Sequence, residues 1–241
     1  MHWKPIFDDQ QVASIGSISV ARSDPKIVWV GTGETVIREN VSIGDGIYKS
    51  VDAGQTWQHV GLDATGRIGR IAINPKDPNV IYAAAMGSGY APQQERGLFR
   101  TRDGGKTWER VLFVDQNTGA IDVVVDPMNP QNVIAATWQL TMGPNGHEAG
   151  GPGSGLYISR DGGTNWTKLT QGLPDGPLGK IGLAIAPSNP KRVYALIASA
   201  GHGNLWRSED LRDQDNRLWK NMDIDCFHAS KEHGQLHACH P

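Results

Sequence analysis

Several features that commonly stabilise a protein or reveal its activity are scarce in this sequence of 241 residues. Only two cysteines occur, Cys226 and Cys239, so residues 1–225 fold without disulfides. No run of about 20 apolar residues is present, so we expect no membrane-spanning helix. The opening stretch, MHWKPIFDDQ, has no basic region followed by an apolar one, so no signal peptide is visible in this chain.

The sequence also has no strong excess of positive or negative residues. The 23 Lys and Arg residues nearly balance the 25 Asp and Glu residues, which gives a formal net charge of −2. A broad nucleic-acid surface needs clustered Lys and Arg, so we expect no nucleic-acid partner. No segment shows a helical period of apolar residues long enough to predict a helix. These absences leave a globular, turn-rich composition, with 30 glycines and 14 prolines.

The sequence does contain one unit that is written about four times. Each unit opens with a short apolar run: IGSISVA from Ile15, IGRIAIN from Ile68, AIDVVVD from Ala120 and IGLAIAP from Ile181. A proline turn, a polar glycine-rich loop and two further short runs follow, and the unit recurs at intervals of roughly 50 to 60 residues. Short runs of Val, Ile and aromatic residues bounded by Gly, Pro, Asp and Asn are typical of strands.

Four short strands in each unit predict an all-β fold, a β-propeller of four-stranded antiparallel blades. We expect blades at residues 15–62, 66–114, 119–170 and 179–222. Residues 1–14 are expected to hold one outer strand, WKPIF, left over from a preceding blade. Residues 223–241 form a tail that breaks the repeat, and we expect this tail to be disordered or aberrant.

Three similar segments, SVDAGQTW, TRDGGKTW and SRDGGTNW, join the third and fourth strands of a blade. Asp can accept backbone N–H bonds inside a tight turn, Gly can adopt backbone angles closed to other residues, and Trp can fill space between blades. Because the same residues recur three times, we interpret them as structural rather than catalytic. They are Ser50, Asp52, Gly54, Thr56, Trp57, Thr101, Asp103, Gly105, Thr107, Trp108, Ser159, Asp161, Gly163 and Trp166.

The pattern Ser/Thr-x-Asp-x-Gly-x-Thr-Trp resembles the Asp-box, or BNR repeat, of sialidases, xyloglucan-degrading propellers and the sortilin/Vps10 propeller. The first two copies match every position, and the third departs at Asn165. A fourth copy, from Ser208 to Trp219, carries an insertion and lacks the Gly. The stretches WKPIFDDQ and VWVGTGE are similar to large bacterial sortilin-like and BNR glycosyl-hydrolase-like proteins. This resemblance covers residues 3–222 and implies a secreted, periplasmic or cell-envelope location.

An open arc of four blades would expose the apolar sides of its end blades, so we expect the chain to be part of a larger propeller of six to ten blades. The alternation of strand direction predicts that the proline turns and Asp-boxes share one face. The longer loops, 33–46, 87–97 and 139–155, lie on the other, which we call the long-loop face. Binding residues concentrate on such loops. The stretch 143–155 lacks the Gly-Lys-Ser/Thr ending of a phosphate loop and is interpreted as a flexible insertion.

The polar residues expected on the long-loop face are Glu34, Arg38, Glu39, Asp63, Arg67, Tyr90, Glu95, Arg96, His147 and Glu148. Arg70 and Asp122 lie in first strands, which would line the central channel. A glycosidase needs two carboxylates, which Glu34 and Asp122 could supply. A sialidase-like site needs several arginines to bind a carboxylate, and the candidates are Arg38, Arg67 and Arg70. For each residue, a solvated loop or a salt bridge between blades is the competing interpretation.

The tail carries the pattern C-x-H…H-x-C, formed by Cys226, His228, His237 and Cys239. These four side chains are zinc-type ligands, although the C-x-H spacing is tighter than that of a zinc finger. A disulfide between Cys226 and Cys239 is an alternative. We interpret the tail as unstructured, and we expect no cofactor.

Together, repeat and resemblance predict a binding or scaffold module that recognises a protein or a glycan through the long-loop face, with further propeller blades as its other partner. On this interpretation the chain alone is not an enzyme. The alternative is a piece of a sialidase-like or xyloglucanase-like glycoside hydrolase, whose carboxylates would come from the complete ring. An acidic pair in the channel with one strongly raised pKa would favour the hydrolase.

Overall fold

A computed structural model describes residues 3–36, 40–199, 203–210 and 219–222, together with the backbone of two short strands in the tail. The protein is built almost wholly of β-strands, arranged as four antiparallel sheets of four strands each. This arrangement confirms the predicted all-β fold and its four-stranded blades. Within the described ranges, no helix is long and apolar enough to cross a membrane.

Each blade uses four strands in chain order, except that blade 3 has a hairpin inserted between its second and third strands. Blade 1 contains β1 (Ile15–Val20), β2 (Val28–Thr32), β3 (Ile47–Ser50) and β4 (Gln58–His59). Blade 2 contains β5 (Ile68–Ile73), β6 (Ile81–Ala85), β7 (Gly97–Thr101) and β8 (Glu109–Leu112). A 3-10 turn, Asp63–Thr65, links these two blades.

The two remaining blades follow the same order. Blade 3 contains β9 (Thr118–Val125), β10 (Val133–Gln139), β13 (Gly155–Ser159) and β14 (Thr167–Leu169), and its inserted hairpin is β11 (Thr141–Gly143) with β12 (Gly146–Glu148). Blade 4 contains β15 (Leu178–Ile185), β16 (Val193–Ser199), β17 (Asn204–Ser208) and β18 (Trp219–Asn221). In the tail, β19 (His228–Ala229) pairs with β20 (Leu236–His237).

The first strands of successive blades lie side by side, because β1 contacts β5, β5 contacts β9, and β9 contacts β15. The second strands lie inside their sheets, and every residue of β6 is buried. Apolar side chains from adjacent blades form one cluster at each junction. Representative members are Trp29 with Ile68, Tyr82 with Val133, and Ile134 with Ile181. Each blade therefore buries its faces against its neighbours.

Glycines in the first strands allow adjacent blades to approach closely. A Cβ atom at Gly16 would lie 2.3 Å from the Ile68 carbonyl oxygen of blade 2, and one at Gly69 would lie 2.5 Å from the Ile121 carbonyl oxygen of blade 3. Distances this short are not possible for a real Cβ atom. Gly182 occupies the equivalent position in blade 4, where no described atom lies within 4 Å. The glycine is thus required only where another blade packs against it.

The N-terminal segment differs from the prediction, because residues 3–14 contain no strand. Trp57 Nε1 donates to the Ile6 carbonyl at 2.7 Å, just as Trp108 Nε1 of blade 2 donates to the Val60 carbonyl at 2.7 Å. Phe7 packs edge-on against Trp57, with ring centroids 5.0 Å apart. The segment therefore contacts blade 1 as the end of blade 1 contacts blade 2. It forms no strand because the described residues offer it no neighbouring strand to pair with.

The stretch from 139 to 155 is more ordered than a flexible insertion. Its hairpin pairs Met142 with His147, and the Met142 side chain is buried in the core cluster between blades 3 and 4. Met142 N–H also donates to the Gly89 carbonyl of blade 2 at 2.8 Å. Two apolar residues in a polar loop, Leu140 and Met142, thus anchor the insertion, and the surrounding glycines concealed these anchors in the sequence.

The equivalent glycines Gly69 and Gly182 provide a matched test of the close approach between blades. We expect Gly69→Ala to lower the free energy of unfolding by about 1–3 kcal/mol, because the added methyl group forces blades 2 and 3 apart. Gly182→Ala meets open space in this chain and is expected to change stability by less than about 1 kcal/mol. Urea unfolding of both variants measures the difference. Equal destabilisation would contradict the packing described here.

Candidate functional site

The three Asp-box turns share one hydrogen-bond pattern. The hydroxyl of Ser50, Thr101 or Ser159 donates to the Asp two residues later at 2.7–2.8 Å, and it accepts the N–H of the Gly four residues later at 2.7–2.9 Å. Each Asp also accepts the backbone N–H four residues later at 2.9 Å. All hydrogen bonds in this pattern close within the turn, so these carboxylates hold the turn in place.

The third turn keeps this pattern despite its departure from the consensus. Thr56 and Thr107 donate their hydroxyls to Asp52 and Asp103 at 2.6 Å. In the third turn, Asn165 Nδ2 donates to Asp161 at 2.7 Å and takes the place of the hydroxyl. The fourth copy lies partly in residues 211–218, outside the described residues.

These hydrogen bonds favour the ionised carboxylates. The Thr56 hydroxyl contributes most to lowering the pKa of Asp52 to about 2, and the Thr107 hydroxyl does the same for Asp103, whose pKa lies well below its usual range. The Asn165 backbone N–H is the main cause that lowers the pKa of Asp161 to about 2. A carboxyl group that holds its proton so weakly does not act as a general acid near neutral pH.

The tryptophans of the turns do not all make the same contact. The Nε1 atoms of Trp57 and Trp108 donate to the segment that precedes their own blade, whereas Trp166 Nε1 donates to Gly163 within its own turn at 3.1 Å. Trp108 also meets Trp29 of blade 1 edge-on, with centroids 6.5 Å apart. Trp108 thus joins two adjacent blades by a hydrogen bond, and Trp57 joins blade 1 to the N-terminal segment.

A groove of about 650 Å³ runs along the first strands and the proline turns of all four blades. Its lining combines aliphatic side chains with prolines and two arginines, among them Ile18, Val20, Met128, Arg22 and Arg70. No aromatic side chain lines it, so the groove offers no flat platform for a sugar ring. The groove lies toward the proline turns, whereas the sequence predicted a site among the long loops.

Asp122 lies at the centre of the first strands and joins three blades. Its Oδ2 accepts the Leu183 N–H of blade 4 at 2.8 Å, and its Oδ1 accepts the Val123 N–H at 2.8 Å and lies 3.3 Å from Arg70 Nε of blade 2. Burial raises the pKa of Asp122, and the Leu183 N–H and Arg70 act in the opposite direction. Both oxygens are therefore engaged in holding neighbouring strands together.

Glu34 lies in the long loop of blade 1, and its carboxylate accepts the Ser42 N–H at 3.2 Å. The same loop reaches blade 4, because Lys180 Nζ donates to the Thr35 carbonyl at 3.4 Å. Lys180 also lies 5.6 Å from the ring centroid of Trp138, and burial lowers its pKa. The loop of blade 1 thus spans the space between the first and last blades on the long-loop face.

The two described arginines of the predicted sialidase-like cluster are directed to different partners. Arg70 pairs with Asp122, whereas Arg67 is buried and donates its Nε–H to the Gly87 carbonyl at 2.7 Å. Arg67 lies beside Arg96, which is also buried, so neither of these two is a solvated loop residue. Arg38 and Glu39 lie outside the described residues.

The remaining predicted positions lie apart from these groups. Asp63 is exposed and forms a pair with His59 at 3.4 Å. Tyr90 is about half exposed on the loop of blade 2. Cys226 and Cys239 lie outside the described residues, and only the backbone of His228 and His237 is described. Among the residues that the structure describes, no group of three or more His, Cys, Asp or Glu side chains is arranged to hold a metal ion.

Comparison with known proteins gives a family match and a consistent set of relatives. The family described as "Sortilin, neurotensin receptor 3" (Sortilin-Vps10) matches residues 45–175. A xyloglucanase from Paenibacillus sp. is 27% identical over 219 residues, which covers 80% of this chain and 20% of that protein. Xyloglucanase Xgh74A from Acetivibrio thermocellus is 27% identical over 234 residues, which covers 85% of this chain and 26% of that protein. The chain thus spans about a fifth to a quarter of these curated relatives.

A solved structure shows the same fold. The GH74 xyloglucanase from Xanthomonas campestris superimposes with a TM-score of 0.62 at 18% identity, covering 94% of this chain and 33% of that chain. At this level of identity the similarity concerns the fold alone. It agrees with the four-stranded blades described above.

Sequence reasoning missed two arrangements on the long-loop face. The contact between Lys180 and Thr35 joins residues 145 positions apart, and no local pattern signals it. The sequence gives a weak indication that Arg67 and Arg96 are buried. Each lies next to a glycine at the end of a loop, and this arrangement occurs in blade 2 only. A charged residue that occurs in one repeat and is absent from the others indicates a role specific to that blade.

The lowered pKa of the Asp-box carboxylates predicts a pH dependence of stability. Their stabilising effect is complete above the pKa of an unfolded Asp, near 3.9, and it is lost as the pH falls through the lower folded-state pKa. We expect wild-type protein to lose more stability between pH 5 and pH 2.5 than Asp103→Asn, because the variant no longer has this carboxylate to protonate. Urea midpoints across this range measure the loss. Asp175→Asn, at an exposed position before blade 4, is the control. Parallel curves for wild type and Asp103→Asn would contradict this role.

Proposed function

This chain belongs to the Sortilin-Vps10 family, and from that premise we propose that it forms part of a glycan-active β-propeller of the xyloglucanase kind. The observation that carries the proposal is the match to xyloglucanases, which extends over 80% and 85% of this chain in two relatives. The proposed substrate class is a β-glucan with side branches, bound across the long-loop face. Additional blades would complete the ring and its active site.

The half-exposed ring of Tyr90 supports glycan binding on this face. Aromatic side chains with an apolar face and a polar tip suit ligands that are partly apolar and partly hydroxylated. Tyr90 lies in the loop between β6 and β7, and its N–H donates to Ser88 Oγ at 3.2 Å. The neighbouring Arg96 holds the carbonyls of Ser88 and Ala91 on both sides of Tyr90. These hydrogen bonds fix the backbone on both sides of the half-exposed tyrosine.

For hydrolysis, Glu34 is the better of the two candidate carboxylates in this chain. The oxygens of Asp122 hold the strands of blades 2, 3 and 4, so we assign Asp122 a positioning role in the channel. Glu34 lies in the loop that spans toward Lys180, on the face where glycan binding is proposed. Glycoside hydrolysis needs a second carboxylate on the other side of the glycosidic bond. We propose that another blade of the complete ring supplies it.

The second candidate function is a binding module that recognises a glycan or a protein without hydrolysis. The engagement of both Asp122 oxygens favours it, because a carboxylate that holds three blades together is poorly placed to transfer a proton to a substrate. In either case we propose a secreted or cell-envelope location, since a polysaccharide does not cross a membrane unaided.

Affinity electrophoresis in gels that contain xyloglucan, together with a reducing-sugar assay, tests these proposals. We expect the chain to be retarded by xyloglucan and Tyr90→Ala to weaken binding about tenfold, which corresponds to about 1.4 kcal/mol. Trp3→Ala is the matched control, because Trp3 is a more exposed aromatic residue that lies in the N-terminal segment and outside the long loops. This variant is expected to bind as the wild type does.

The reducing-sugar assay separates the two functions when it is performed on the complete ring, because the second carboxylate is assigned to another blade. Release of reducing ends that falls at least 100-fold in Glu34→Gln, with binding retained, supports the hydrolase. Binding without release supports the binding module. If neither xyloglucan nor unbranched β-glucan retards the chain, the proposal that these blades recognise a glycan is wrong.

A further inference from the structure

Two buried arginines lie together under the loop between β6 and β7. Arg67 is 2% exposed and Arg96 is 1% exposed, and their side chains lie on either side of Gly87. Arg67 Nε donates to the Gly87 carbonyl at 2.7 Å, and a Cβ atom at Gly87 would lie 2.4 Å from Arg96 Cγ. Such complete burial is rare for arginine unless its charge is compensated.

The hydrogen bonds of this pair leave specific atoms without a partner. Arg96 donates from Nη1 to the Asn117 carbonyl at 2.6 Å and from Nη2 to the carbonyls of Ala91, at 2.8 Å, and Ser88. The Nη1 and Nη2 atoms of Arg67 and the Nε atom of Arg96 are buried and make no hydrogen bond with any part of the chain that the structure describes. Three donor atoms are therefore enclosed in the protein without an acceptor.

The two positive charges also have little negative charge to balance them. The hydrogen-bond acceptors around Arg96 are neutral carbonyls, and Asp115 is the carboxylate whose charge acts on it. Burial lowers the pKa of Arg67, and burial together with the charge of Arg67 lowers the pKa of Arg96 to about 10. A buried charge without a counter-charge is costly, so a bound anion would stabilise this arrangement.

We propose that Arg67 and Arg96 form a site for one compact monovalent anion, of the size of chloride or formate, beneath the Tyr90 loop. The planar fork formed by Arg67 Nη1 and Nη2 suits two parallel hydrogen bonds to such an ion. The ion would join the start of β5 to the loop 87–96 and so fix the position of Tyr90. The anion site does not require that the chain binds a glycan, although the ion would stabilise the loop that carries Tyr90.

Close packing around Arg67 limits the size of the ion. Gly89 lies next to it, where a Cβ atom would be 3.2 Å from Arg67 Nη2 and 2.9 Å from the side chain of Met142. A methyl group at this position would therefore crowd Arg67 Nη2, the atom at which we place the ion, and leave the charge of Arg67 unchanged. Because both arginines are almost fully buried, a sugar acid is too large to enter.

Thermal unfolding of the whole chain at constant ionic strength tests the site. The protein is prepared without halide, and sodium chloride or sodium formate replaces sodium isethionate in steps. We expect a saturable rise in Tm of about 3–6 °C at ten times the dissociation constant, since an ion that binds only the folded state stabilises it. Sodium glucuronate is expected to produce no saturable rise.

Three variants show whether the rise depends on this site. Arg67→Met removes the fork, and Gly89→Ala fills the adjacent space, so both should abolish the saturable rise. Arg102→Met removes an exposed arginine of the same blade and should retain it. If Arg67→Met does not fold, Gly89→Ala still provides the test. A rise that persists in Gly89→Ala or is absent from wild type would overturn the proposal, as would a saturable rise with glucuronate.

A crystal grown with bromide gives the position of the ion directly. We expect an anomalous peak within hydrogen-bonding distance of Arg67 Nη1 or Nη2. A crystal in which bromide binds only at the protein surface would overturn the proposal.

Discussion

Everything in this structure depends on one constraint: a four-stranded blade has two apolar faces and can bury them only against the next blade. Each junction therefore has its own apolar cluster, with Trp29 and Ile68 between blades 1 and 2 and Ile134 and Ile181 between blades 3 and 4. The first strands approach so closely that Gly16 and Gly69 have no room for a Cβ atom. Stability in such an array is close to a sum of nearest-neighbour terms.

Polar groups reinforce the same junctions. Ser17 Oγ of blade 1 accepts the Ile71 N–H of blade 2 at 2.9 Å, and Asp122 accepts the Leu183 N–H of blade 4. At the outer edge, Trp108 donates to Val60 across the junction of blades 1 and 2. The Asp-box carboxylates do not cross any junction; they fix the turn from which the tryptophan extends. The Asp of the motif thus stabilises the turn, and the neighbouring Trp stabilises the junction between blades.

The parts of the structure that repeat could be predicted from the sequence, and the parts that occur once could not. The all-β fold and the four-stranded antiparallel sheets follow from local alternation and turn residues, which recur in every unit. The segment WKPIF has the composition of a strand but no strand to pair with among the described residues, so local pattern was misleading there. Met142 anchors a loop that otherwise consists mostly of glycine and polar residues. Its contact with blade 2 depends on tertiary packing, which a single sequence does not encode locally.

The candidate site was predicted least well, for the same reason. Arg67 and Arg70 are three residues apart, yet one is buried under the loop of blade 2 and the other faces Asp122 of blade 3. Which way each side chain points depends on how the neighbouring blade packs. The long-loop face therefore combines features specific to single blades: Tyr90, the buried arginine pair, and the loop that reaches Lys180. These features differ from blade to blade, whereas the strands and turns that carry them are alike in every blade.

Amide hydrogen exchange on the second strands tests most directly the claim that blades are stabilised by their neighbours. The strands β2, β6, β10 and β16 occupy the same place in their sheets, so they differ mainly in how many blades flank them. We expect β6 and β10, with a blade on both sides, to exchange most slowly, and β2 and β16 to exchange faster. Equal protection of all four strands, or greater protection of β2 and β16, would contradict it.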